Sequence, residues 1–193
     1  NIRIELDLID HIQLFNANDE SSITVRAEGA VQSPSFQLEE KDGHVLLKDN
    51  EMFVTEESLG DDKLCVVEPN YTSYQIYVPR NRDLYISFLE GNFYSDNFEG
   101  DLNLSVEAGI IKLKNMNDDL NVRLNSGSVF LHDIRNTKID AETTLGVLVN
   151  NIPDQVEVKS NKKLHQTIGN PNNLIVIRTI LANIYLYESK TNF

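Results

Sequence analysis

The sequence predicts an all-β fold: a single-stranded β-solenoid, similar to a right-handed parallel β-helix, with turns of 18 residues and a less regular N-terminal part. Three observations predict it. Apolar and polar residues alternate along most of the chain, as in Ile2-Arg3-Ile4-Glu5-Leu6-Asp7-Leu8, and period 2 marks half-buried strands. A repeat of 18 residues runs from 84 to 137. One column of that repeat is glycine in all three copies: Gly91, Gly109 and Gly127.

Taken in order, the first 80 residues offer candidate strands at 2–8, 11–15, 22–27, 35–40, 44–48, 63–67 and 74–78. Asp42-Gly43 is a hairpin or turn signal between two of them. Three turns follow, beginning at Leu84, Leu102 and Leu120. Five of their columns are apolar throughout: Leu84/Leu102/Leu120, Ile86/Leu104/Val122, Phe88/Val106/Leu124, Phe93/Ile111/Val129 and Phe98/Met116/Ile134. Two short strands cannot bury their own apolar face, but stacking copies about 4.8 Å apart can. A recurring corner between strands accounts for the glycines. A further column, Asn97, Asn115 and Asp133, continues at Asn151 and reads as a structural staple whose side chains bond along the stack. Ile139, Ala141 and Thr143 open a fourth turn, in which Gly146 comes one residue late and Pro153 ends the strand. Val156 and Val158 read as a strand, and 161–173 as a loop-rich turn. A last rung runs from Ile175 to Leu186, with Ala182 in the glycine's place. Residues 1–193 are expected to form one domain, irregular over 1–80 and regular over 81–193, with the Lys190–Phe193 tail and the N-terminal strands as caps. Right-handedness is expected from the usual crossover rule.

Composition excludes several functions. Thirty acidic against 17 basic residues give a net charge of −13, which repels phosphate backbones and argues against nucleic acid. The one cysteine, Cys65, leaves no intramolecular disulfide and reads as a small buried hydrophobe. No apolar run approaches the ~20 residues of a membrane-spanning helix. The opening residues carry no basic-then-apolar leader, so no signal peptide is expected within this sequence, and the missing initiator Met fits a trimmed or mature chain.

The run Tyr74-Gln-Ile-Tyr-Val-Pro79 into Leu84-Tyr-Ile resembles a known family, as do Gly91, Asp101-Leu-Asn-Leu, Gly109-Ile-Ile-Lys-Leu, Leu120-Asn-Val and Ser126-Gly-Ser-Val-Phe-Leu. That family is the bacterial “putative adhesin” group with β-strand repeats, of the auto-transporter adhesin head domain type. Ile23-Thr-Val-Arg-Ala-Glu-Gly29, Phe36-Gln-Leu and Val45-Leu-Leu extend the likeness toward the N-terminus. The resemblance implies an extracytoplasmic solenoid of the bacterial cell envelope and supplies no catalytic residues.

Candidate sites are therefore few. No catalytic residue and no cofactor are expected. His11, His44, His132 and His165 form no zinc motif, and Ser126-Gly-Ser128 lacks the helix that follows a nucleophile elbow. Asp101, Asp118 and Asp119 crowd one edge of the repeat and are the candidates for a cation, which needs six to eight oxygens if it is calcium. Asp154 falls in the same column as Asp118, and Arg135 lies nearby. Tyr94, Lys112 and Phe130 are outward positions of the second strand, with Tyr85, Tyr185 and Tyr187 as further outward aromatics. Such rings stack on sugars or dock a partner. The leading expectation is a non-enzymatic envelope module that binds carbohydrate or an envelope protein, or serves as a scaffold. The alternatives are a carbohydrate-active enzyme on a short β-helix and self-assembly through end-to-end strand pairing.

Overall fold

A computed structural model describes residues 2–18, 22–28, 36–41, 44–49, 72–152 and 156–188. Among these residues there are fifteen strands and no helix. They are β1 Ile2–Glu5, β2 Leu8–Asn16, β3 Thr24–Glu28, β4 Phe36–Lys41, β5 His44–Asp49, β6 Thr72–Val78, β7 Leu84–Asp96, β8 Leu102–Lys114, β9 Leu120–His132, β10 Thr137–Thr143, β11 Leu148–Asn151, β12 Val156–Lys159, β13 Lys163–Thr167, β14 Asn173–Thr179 and β15 Asn183–Tyr187. All belong to one open sheet that mixes parallel and antiparallel neighbours. The expected turn at Asp42-Gly43, the strand at 63–67 with Cys65, Pro153, Asp154 and the 190–193 tail lie outside the described residues.

The middle of the sheet is the repeat itself. β7, β8 and β9 run parallel, and every pair joins residues 18 apart: Leu84↔Leu102↔Leu120, Gly91↔Gly109↔Gly127 and Phe93↔Ile111↔Val129. All fifteen positions of the five apolar columns are buried. In β8 the inward residues are Leu102, Leu104 and Val106, then Ile111 and Leu113. The step from 106 to 111 is odd, so a flat strand would send the second group to the wrong side. The glycines correct the phase. Gly91, Gly109 and Gly127 have φ of +148°, +151° and +123°, and a Cβ on Gly109 would strike the carbonyl oxygen of Gly91. Each long strand thus has two limbs, one on either side of its glycine.

The return to the next rung follows the same logic. Asn97, Asn115 and Asp133 have φ of +58°, +52° and +56°, the left-handed region that Asn and Asp tolerate best among residues with a side chain. The next residue but none, Phe98, Met116 or Ile134, is buried beneath the turn. Asn97 N–H donates to Lys114 O (3.0 Å) and Asn115 N–H to His132 O (3.2 Å), which ties each turn to the rung above.

The ends depart from this order. On one side β1 and β2 together occupy a rung: Ile2 pairs with Leu84 and Ile12 with Phe93. β5 and β6 form the next rung, again parallel, and β4 and β3 close it antiparallel. On the other side the neighbour of β9 is not β10. Ile175 of β14 lies on Leu120 and Ile184 of β15 on Val129, and β10 and β11 stack outside them. The rung that comes last in sequence has slipped between the third and fourth turns. β13 then pairs antiparallel with β10, and β12 with β13.

β13 lies inside 161–173, where the sequence suggests only a loop. Its two buried residues are Leu164 and Gln166, so half of the inward pattern is polar and alternation is hidden. Asn150 Nδ2 donates to Gln166 Oε1 (2.8 Å), so the buried amide is partnered.

Candidate functional site

The two limbs present different outer faces. Over the first limb the outward residues are mainly polar or charged, with Tyr85 and Leu174 exposed beside them. Tyr85 lies beneath Arg3, whose guanidinium is 4.8 Å from the ring centre, and Asn103 and Asn121 follow in register. Asp140 is flanked by Arg178 and by His165, with His165 Nδ1 at 3.1 Å from its carboxylate. Lys163 Nζ is 3.4 Å from Glu142. Arg178 and Lys163 thus each lie against a carboxylate on a neighbouring strand.

Over the second limb the outer face is aromatic. Tyr94, Lys112 and Phe130 fall on three successive rungs, with Gln13 before them and Tyr185 after. Phe130 and Tyr185 are stacked with centroids 4.8 Å apart and planes 8° from parallel. Lys112 Nζ sits 5.5 Å from the Tyr94 ring and 6.0 Å from Phe130, a cation between two π faces. A second row runs alongside. Phe15 stacks on Tyr77 (5.1 Å, 20°) at one end, and His132 on Tyr187 (4.7 Å, 10°) at the other. These separations match the spacing of adjacent strands, so the rings stand on edge with their faces along the stack.

Between the two stacked pairs the second row carries Asp96 and Lys114. Lys114 Nζ is 3.3 Å from Asp96 and 3.7 Å from Asp133. The short Asp96 side chain leaves room, and a groove of about 300 Å³ opens there, walled by Phe15, Tyr94, Lys112, Lys114 and His132. Tyr94, Lys112 and Phe130 were accessible from the outward phase of the repeat. Phe15 and His132 were not, because Phe15 belongs to the irregular N-terminal rung and a histidine carries no strand-phase signal. The pattern that finds them is residue 94 plus two in each rung, once the register is known.

The three acidic candidates occupy the opposite end of the rung. Asp118 Oδ2 accepts the Gly100 N–H (2.8 Å), Asp101 Oδ1 the Asp119 N–H (3.2 Å) and Asp119 Oδ1 the Leu174 N–H (2.8 Å). Each carboxylate therefore fastens a backbone amide of an adjacent rung. Burial pushes the Asp101 carboxyl above its ordinary range, helped by the like charges of Asp119, Asp83 and Asp118 and opposed by the Asp119 amide. Among the described residues no three His, Cys, Asp or Glu side chains come together as a metal ion requires. Asn151 lies in β11 opposite Tyr187, and its backbone is not left-handed.

One cluster escaped sequence reasoning. Asp10, His11 and Ser73 meet across β2 and β6: Asp10 Oδ2 lies 2.8 Å from His11 Nδ1, Ser73 Oγ donates to Asp10 Oδ2 (2.9 Å), and Ser73 Oγ is 3.2 Å from His11 Nδ1. A nucleophile relay needs the hydroxyl and the carboxylate on opposite ring nitrogens. Here both use Nδ1, so the imidazole cannot pass a proton from Ser73 to Asp10 through the ring. The cluster ties two rungs together.

No family model matches this chain, and no curated protein matches it. Crystal structures do resemble it, these two among them. A “putative cell adhesion protein” from Clostridium sporogenes superposes with a TM-score of 0.67 at 15% identity, over 97% of this chain and 92% of its own. A “putative adhesin” from Bacteroides fragilis covers 95% of this chain and 91% of its own at 11% identity, with a TM-score of 0.35. The first likeness establishes a shared fold over nearly the whole chain. The second is too distant to carry an argument. Among the described residues no helix is long and apolar enough to cross a membrane.

Proposed function

We propose that this chain is a non-enzymatic, adhesin-like binding module of the bacterial cell envelope, working outside the cytoplasm. In this reading residues 1–193 form a single domain, a short right-handed β-solenoid, and the second-limb face is its contact surface. The observation that carries the reading is that every rung from β6 to β15 puts an aromatic or cationic side chain on this outer face, from Tyr77 and Phe15 in one row through Tyr94, Lys112 and Phe130 in the other to Tyr185 and Tyr187. A rigid stack holds them at fixed spacing, so a ligand that follows the stack meets several weak contacts at once without ordering a loop. The shared fold with a protein named for cell adhesion agrees with this.

The ligand proposed is a glycan. A glycan array probed with the purified chain, with and without Ca²⁺, is the test. Selective retention without a need for Ca²⁺ is expected, because Asp101, Asp118 and Asp119 already hold backbone amides. A Tyr94→Ala/Phe130→Ala double variant, still folded, should lose it. Silence under both conditions would remove glycans and leave an envelope protein as the partner to seek.

A further inference from the structure

The groove beside Asp96 has a charge pattern that narrows its ligand. Two ammonium groups line it. Lys114 is neutralised by Asp96 and Asp133. Lys112 is not: among the described residues no carboxylate lies within ion-pairing distance, and its neighbours are the rings of Tyr94 and Phe130. Of the charged residues that wall the groove, Lys112 and Lys114 stand against Asp96 alone, Asp133 lying outside the wall, so the unpaired positive charge is local to Lys112, set beside aromatic surface and above a bonded Asp–Lys pair. In the row 15–96–114–132, Phe15 has one face covered by Tyr77, and its other face looks along the stack toward Asp96. A flat, partly apolar ring fits against that exposed face, and Asp96 and Lys114 below it offer an acceptor and a donor for hydroxyl groups.

Resting on the glycan reading above, we infer that the groove seats a carboxylated sugar residue, its ring against Phe15 and Tyr94 and its carboxylate on Lys112. The volume of about 300 Å³ suits one such residue, with the rest of the chain running along the stack. The overall charge of −13 opposes anions at long range, but at about 0.15 M salt that field is screened beyond ~8 Å while the contact at Lys112 persists. The site therefore selects by contact and not by steering.

Calorimetric titration at that salt concentration tests this. The probes are trisaccharides of galacturonate, glucuronate and mannuronate, each paired with the neutral trisaccharide of the same linkage and stereochemistry. At least one acidic member should bind about tenfold tighter than its neutral partner, the scale of a charge-assisted hydrogen bond. Lys112→Ala should abolish the preference and Lys112→Arg should keep it. Lys112 is exposed, so neither change threatens folding. Equal binding of acidic and neutral members would overturn the carboxylate inference and leave the glycan reading standing. A preference that survives Lys112→Ala would overturn the assignment to Lys112. No binding by any member, with an array that is also silent, would overturn both.

Discussion

The middle of this sheet and its C-terminal end turn the same corner by different means. In β7, β8 and β9 one continuous strand bends at a glycine of positive φ, and the glycines lie in contact so close that no side chain fits. At the C-terminal end the strand is broken in two, as β10 and β11 or β14 and β15. There Gly146 lacks a positive φ, and Ala182 replaces the glycine. Two buried hydroxyls do the work of the bend: Thr143 Oγ1 and Thr179 Oγ1 both donate to Ala182 O (2.9 Å each), and the Gly146 N–H donates to Thr143 Oγ1 (3.0 Å). The corner can thus be made by removing side chains or by adding hydrogen bonds. Only the first leaves a column visible in sequence.

The largest effect should come from the glycine corner. Gly109→Val places a branched side chain against the Gly91 carbonyl at a φ that L-residues avoid. Stacked neighbours prevent relaxation, so a loss of more than about 4 kcal/mol is expected, seen as failure to fold or a collapse of the denaturation midpoint. The threonine corner should be milder. Thr143→Val keeps shape but removes one bond to Ala182 O and the acceptor of the Gly146 N–H, at a cost of about 1–3 kcal/mol. Chemical denaturation of both variants checks the order. A Gly109→Val protein as stable as Thr143→Val would mean that the central corner is not rigid.

How far the fold was legible follows from the same contrast. The 18-residue offset of β7, β8 and β9 was readable because position in sequence and position in the stack coincide there. The order of the later rungs was not. Ile139 and Ile175 are 36 residues apart, two full periods, so either fits over Leu120 by pattern alone. Periodicity gives phase but not rank, and the contacts that give β14 the inner place are long-range: Leu174 N–H to Asp119 Oδ1 and Leu181 N–H to Asn125 O. The antiparallel closures by β3, β12 and β13 were equally hidden, since hydrophobic alternation is the same for either direction, whereas the antiparallel pairing of β4 with β5 agrees with the hairpin signal of Asp42-Gly43 between them. The second-limb face was half legible. Tyr94, Lys112 and Phe130 follow from the repeat, but the groove needs Phe15 and His132, brought there by a rung that breaks it.

The smallest expected effect separates regular from irregular stacking by the sign of a pH dependence. Exact repetition sets like over like. Burial raises the Asp101 carboxyl pKa first, against the Asp119 amide that it accepts, and the like charges of Asp119, one period away, Asp83 and Asp118 add to the rise. In the irregular rung unlike groups meet instead: Asp10 has its chain neighbour His11 beside it and Ser73 of the next strand across from it, and hydrogen bonds from these, His11 first, lower its pKa. A raised folded-state pKa favours the protonated form, so the contribution of Asp101 is present below the ordinary carboxylate value of about 3.9 and is lost as pH rises through its own pKa. A lowered one does the reverse: the contribution of Asp10 is present above that value and is lost as pH falls. Asp101→Asn keeps an oxygen for the Asp119 N–H while removing the charge, so the thermal midpoint should rise slightly at pH 7 and match the parent near pH 2. Asp10→Asn should lower the midpoint slightly at pH 7 and also converge with the parent near pH 2. Thermal melts of the two variants across that range decide the matter. Parallel shifts of the same sign would show that the stack tolerates in-register carboxylates without penalty, because water or counter-ions screen them, and the distinction between regular and irregular rungs would then be one of shape and not of charge.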